Sequence, residues 1–357
     1  MPTTTAPQLS VVRGEFDASV TFLNTATVGL APRRSFVALQ QALTDWRAGT
    51  ADPATYDLPL AAARAAYARL VGVDVATVAV GSQVSVFAGL VAAALPAGAE
   101  VLTAAGDFTS ILFPFLAQAG RGVTVREVPL DQLVDAVGER TTLVSVSAVQ
   151  SADGRVADLD ALRARCAATG TRILLDTTQA VGWLPIDASR YAYTVGGGYK
   201  WLLSPRGTAF FTIRPELMDE IVPHTAGWYA GTNPWTSIYG GPLRLAPDAR
   251  RFDVSPAWHC WVAAGPAVEM LADVGTRVLH DNATGLANRF RAGVGLPTGD
   301  SAIVALAVDD AAEPAMRRAK IVAASRAGRL RLSFHISTTE ADVDHAIEVL
   351  RPHVART

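Results

Sequence analysis

The sequence predicts an α/β protein, with one large domain built on a mostly parallel sheet covered by helices, followed by a small C-terminal α+β domain. Three observations carry this. Short strand-like runs alternate with helix-like runs through most of the chain. Several of the strand-like runs are apolar on both faces, which suits strands buried under helices on either side. The 357 residues exceed what one small core uses and fit a large domain with a smaller companion.

Taken in order, residues 1–16 read as a loose polar arm, and FLNTATVGLAP (Phe22 to Pro32) as a turn-rich segment before a helix near Arg33. LPLAAARAAYARLVG is rich in helix formers, with Gly72 as its stop. Seven strands are expected: Thr77–Val80, the start of EVLTAAG, Val123–Val128, Thr141–Ser147, TRILLD ending at Asp176, AYTVGG and GTAFFTI. Helices are expected between them at Val84–Leu95, Ile111–Gly120 and Leu159–Thr169. Pro242–Pro256 reads as a crossing between domains, and Trp258–Leu279 as one long helix. Strands Ala302–Val308 and RLRLSFH from Arg329 follow, then a last helix that Thr338 or Thr339 can cap. The expected units are the arm 1–16, a large domain 17–245 whose N-terminal segment touches the small one, and a small domain 246–357.

Composition narrows the function. Lys plus Arg is 31 against 33 Asp plus Glu, with no basic stripe, which argues against a nucleic-acid partner. The most apolar stretch, Val84–Leu95, is too short for a bilayer span, and the N-terminus lacks a basic region followed by an apolar run. A cytoplasmic protein without membrane association is expected. Cys166 and Cys260 make neither a disulfide framework nor a metal cluster, and the six His show no metal-ligand spacing.

Three places carry chemistry. Lys200 stands alone among Gly, Tyr, Trp and Leu in GGGYKWLLSPRG. Burying an ammonium is costly, so this lysine either acts as an amine nucleophile and base or snorkels to solvent. The glycines before it leave room for backbone to approach a flat ring. Asp176 ends a strand, where a carboxylate can hold a protonated pyridine nitrogen, ligate a metal or cap the next turn. Gly81-Ser82-Gln83 joins a strand to a helix and offers a phosphate seat or a simple cap.

The order and spacing of FLNTATVGLAP, LLDTTQAVG, GGGYKWLLSPRG and LRLSFHISTTEADVDHAI resemble the class V aminotransferase family. These are fold-type I, aspartate aminotransferase-like enzymes of pyridoxal 5′-phosphate (PLP), among them cysteine desulfurases, isopenicillin N epimerase-like proteins and kynureninase. The resemblance implies that Lys200 is the Schiff-base lysine and that Asp176 partners the pyridine nitrogen. It implies Gln179 near the ring hydroxyl, Ser82 and Gln83 at the phosphate, Phe108 on the ring face and Ser147 close by. Arg331 matches the arginine that forks onto the substrate α-carboxylate. Asn24 and Thr25 line the substrate side in this reading, and His335 joins them. Gly227, Trp228 and the loop to Thr236 resemble the piece that reaches the neighbouring subunit's cofactor phosphate, so a homodimer with interfacial active sites is implied. Tyr199, Trp201, Arg206 and Arg251 are further candidates.

The chain departs from the desulfurases in one respect. Between Gly293 and Arg331 it has no cysteine, so the reactive thiol of that branch is missing. The resemblance therefore implies chemistry through a Cα carbanion. C–S β-elimination on a cysteine conjugate is the leading reading, transamination the alternative, and epimerisation or kynureninase-like cleavage follow.

Overall fold

The computed structural model describes residues 6–355. Strands in chain order are β1 (Thr21–Phe22), β2 (Val78–Gly81), β3 (Glu100–Ala104), β4 (Thr124–Val128), β5 (Thr141–Ser147) and β6 (Arg172–Asp176). They continue with β7 (Tyr193–Gly197), β8 (Ala209–Ile213), β9 (Ile303–Leu306), β10 (Ile321–Val322), β11 (Ala324–Arg326) and β12 (Arg329–Ser333). The α-helices begin with α1 (Ala6–Arg13), α2 (Arg33–Ala48), α3 (Asp57–Val71), α4 (Val84–Ala94), α5 (Phe113–Leu116) and α6 (Leu133–Ala136). They end with α7 (Leu159–Thr169), α8 (Trp258–Val274), α9 (Thr276–Gly293), α10 (Ala312–Arg318) and α11 (Glu340–Leu350).

The large sheet has seven strands in the order β2-β8-β7-β6-β5-β3-β4. Only β8 runs against its neighbours; every other pairing is parallel. Side chains alternate between two cores. Val144, Val146, Ile173 and Leu175 pack into one, while Leu143 and Leu174 pack into the other. This is why these strands are apolar at every position. Because β2, β3, β5, β6 and β7 run the same way, Gly81, Ala104, Ser147, Asp176 and Gly197 all end at one edge, where open α/β sheets bind ligands.

A second layer carries β11-β12-β9, α9, α10 and α11 around its own core of Leu306, Leu332, Phe334 and Val343. The Thr339 hydroxyl accepts from Asp342 N at the start of α11, and the Asp342 carboxylate accepts from Thr339 N in return, a complete capping box. The N-terminal segment ties the layers together. β1 pairs with β10, and Asn24 bridges to Ser333.

Three sequence expectations change. Residues 1–16 are not wholly loose: α1 buries Val12, and Arg13 Nη2 donates to Asn282 Oδ1 at 2.8 Å, while residues 1–5 lie outside those described. The helix expected at Ile111–Gly120 is three short turns, Thr109–Ile111, Phe113–Leu116 and Ala119–Arg121, with Pro114 in the first turn of the second. The long helix from Trp258 breaks at Gly275, whose φ of +87° is not helical. Trp261, Val268 and Leu271 of α8 share a core with Tyr67 of α3. No helix among the described residues is long and apolar enough to cross a membrane.

Candidate active site

A cavity of about 370 Å³ opens at the carboxyl edge of the sheet. Asp176 and Ser147 reach it from the ends of β6 and β5, and Lys200 from the loop after β7. Ser82 and Gln83 line it at the start of α4, with Phe108 and Gln179 on its walls. Seven residues singled out from the sequence thus meet in one place, drawn from segments more than a hundred residues apart. Tyr199 and Arg206 line it as well.

Burial sets the state of the two central groups. Asp176 is 3% exposed, and loss of water pushes its carboxyl up to about 6, against hydrogen bonds from Thr178 that favour the anion. Lys200 is 5% exposed. Burial pulls its amine down to about 8, with Asp176 opposing and the Arg331, Arg326 and Arg206 guanidiniums adding to the fall. Its Nζ lies 5.3 Å from the centre of the Phe108 ring. The sequence holds only one other lysine, Lys320, which is exposed. This scarcity singles out Lys200 in plain view, and motif reading passed over it.

The supporting contacts include residues that motif reading missed. Asp107 Oδ1 accepts from the Ser147 hydroxyl at 2.6 Å and Oδ2 from the Ser147 N–H at 2.8 Å. Gln179 Oε1 accepts from Trp201 Nε1 at 2.8 Å, and its Nε2 donates to Ala26 O and Ser151 Oγ. One lone pair of Oε1 is left for a ligand donor. Trp201 is therefore a buried brace for Gln179. The glycines before Lys200 serve the protein itself. A Cβ on Gly196 would stand 2.5 Å from Thr177 Oγ1, and one on Gly198 2.4 Å from Thr208 Oγ1. Leu203, at φ 56°, marks the strained end of this loop.

Six further residues named from the sequence stand off the cavity wall. Arg331 is 2% exposed, directly behind Ser151, whose carbonyl and hydroxyl accept from its Nη1; its Nη2 donates to Thr27 Oγ1 at 2.8 Å and its Nε has no partner. Thr25 is fully buried and Asn24 sits in the bridge to Ser333. His335 does not line the pocket. It packs against Trp201 at 5.3 Å, and burial holds its ring neutral, pulling it down to about 4. Trp228 packs on Tyr229 and Trp235, away from this chain's cavity. Arg251 pairs with Asp219 and takes no part.

The donor set fits PLP. The cavity has the size of a small-ligand site. It offers an amine that is readily deprotonated, a carboxyl at a strand end, an aromatic ring beside the amine and the N-terminus of α4, which no side chain caps. An amine must be unprotonated to attack an aldehyde. Covalent capture of PLP by the apoprotein is therefore expected to rise with pH and level off above about 8. A rate still climbing at about pH 10, as for an ordinary lysine, contradicts the assigned environment.

Residues 60–295 match the model of the family Aminotransferase class-V. The chain is 27% identical over 307 residues to the uncharacterized aminotransferase YcbU of Bacillus subtilis, covering 80% of this chain and 81% of the relative. It is 30% identical over 290 residues to isopenicillin N epimerase of Streptomyces clavuligerus, covering 72% and 71%. Its fold superposes on the cystine C-S lyase C-DES, solved with its product cysteine persulfide, at a TM-score of 0.82 and 23% identity, over 94% of this chain and 98% of that one. The chain belongs to the class V aminotransferase family and is a PLP-dependent enzyme of fold type I.

Proposed function

We propose that this enzyme cleaves the C–S bond of an S-substituted cysteine by β-elimination. The observation that carries the reading is a PLP site without a thiol. Cys166 is buried on α7, and Cys260 lies behind the wall with its thiol donating to Arg206 O at 3.2 Å. Sulfur cannot be handed to a cysteine in this cavity, whereas elimination needs none. The likeness to a cystine C-S lyase supports the same choice.

Bound PLP supplies an electron sink for negative charge at the substrate Cα. The chain supplies the rest. The Lys200 amine takes the Cα proton, and its depressed pKa suits that task near neutral pH. Asp176 keeps a proton on the ring nitrogen, Phe108 covers the ring, and Ser82 with the first turn of α4 holds the phosphate. Arg331, behind Ser151 with its Nε unpaired, is assigned to the α-carboxylate. The Cβ–S bond then breaks and the thiolate leaves with a proton. With one water consumed, the products are thiol, ammonium and pyruvate. A two-fold dimer is part of the proposal. Trp235, Tyr239 and Leu243 are exposed in and beside the loop assigned to the partner's cofactor, as an uncovered interface requires.

The test is repeated turnover of S-substituted cysteines with no keto acid present, with thiol, ammonia and pyruvate formed in step. A single turnover that only a keto acid restores makes the enzyme an aminotransferase instead. For Arg331→Gln, kcat/KM is expected to fall by about 2–5 kcal/mol of transition-state stabilisation. An unchanged value assigns the α-carboxylate to another residue.

A further inference from the structure

Two arginines meet at one hydroxyl beside the site. Arg331 Nη2 and Arg326 Nη2 both donate to Thr27 Oγ1, at 2.8 and 3.4 Å. The hairpin register puts them there. Arg331 on β12 lies opposite Ala324, and Arg326 is two residues along from Ala324 on β11. Opposed residues share a face of a sheet, and so do residues two apart, so both guanidiniums leave the same face. Ala327 and Gly328, at φ 48° and 74°, close the turn directly after Arg326.

Among the described residues, neither arginine has an acidic partner within ion-pair distance. The remaining partners of the two side chains are Ser151 and the carbonyl of Ser325, all neutral. Lys200 adds a third positive group, whose amine both arginines push down while Asp176 pushes it up. The α-carboxylate of a substrate satisfies Arg331. It leaves Arg326, which is exposed, with N–H donors beyond those given to Thr27 and Ser325.

We propose that Arg326 binds a second carboxylate, one carried on the substrate side chain, so that the enzyme selects amino acids with an acidic side chain, among S-substituted cysteines those bearing a carboxylate. This rests on the reading above that Arg331 holds the α-carboxylate.

The test is binding to the PLP-loaded enzyme, read from the change in cofactor absorbance. It uses matched pairs such as S-carboxymethylcysteine and its carboxamide. The wild type is expected to prefer the carboxylate member, and Arg326→Gln to reduce that preference about 10-fold. Arg326→Lys is expected to keep part of it, and added salt to narrow it in the wild type but not in Arg326→Gln. A preference unchanged in Arg326→Gln, or absent from the wild type, overturns the proposal. Equal loss for both members also overturns it, since Arg326 then serves the α-carboxylate or the fold. Because the readout is binding, an enzyme that shows the preference yet releases no thiol supports this proposal while overturning C–S cleavage. One that binds no amino acid overturns both.

Discussion

Lys200→Ala is expected to lower turnover about 1,000-fold or more and to abolish the visible absorbance of covalently held cofactor. The effect is large because one side chain does two jobs, holding the cofactor and moving the Cα proton. No neighbour can substitute. The other groups facing the cavity are hydroxyls, amides, an aspartate and an arginine whose charge is permanent. The fold should survive, since the buried amine is itself a burden that its lowered pKa records. Lys320→Arg is the matched control, expected to keep full activity, because that side chain is exposed and remote from the cavity. Strong activity in Lys200→Ala removes the lysine from the mechanism.

Asp176→Asn is expected to retain PLP but to slow turnover about 100- to 1,000-fold, because a neutral amide does not hold the proton on the ring nitrogen. The same change should stabilise the apoprotein. The folded carboxyl titrates at about 6, above its ordinary 3.8, so the folded state binds the proton more tightly than the unfolded chain does. The burial penalty is therefore full above about pH 6 and fades as pH falls towards about 4. Asp176→Asn should gain up to about 3 kcal/mol at pH 7, less whatever the Lys200 ammonium loses, and nothing near pH 4. Thermal denaturation of the apoprotein at both pH values checks the sign. A destabilised variant at pH 7 contradicts the assigned cost of burying this charge.

Much of this site is legible in the sequence because strand ends are. A run such as RILLD announces both a buried strand and the edge where its last residue faces a ligand, and this located Asp176, Ser147 and Ser82. Lys200 stands out because apolar surroundings reject a charge. What escapes is whatever depends on meetings across the fold. Asp107 matters only because β3 places it beside Ser147, 40 residues on. Thr27 and Ser151 matter only because Arg331 reaches them from β12. Arg326 looks like any surface arginine until the hairpin register sets it beside Arg331. His335 is the reverse case: the motif suggests a pocket residue, while in the structure it lies beyond the end of β12, buried against the Trp201 ring.

The most direct measurement is to treat the PLP-loaded enzyme with borohydride, digest it and find the modified peptide by mass. With two lysines in the chain, the answer is nearly binary. The pyridoxyl phosphate mass on the peptide containing Lys200, and not on the one containing Lys320, is the expected result. Label on Lys320, or on neither, contradicts the account at its centre.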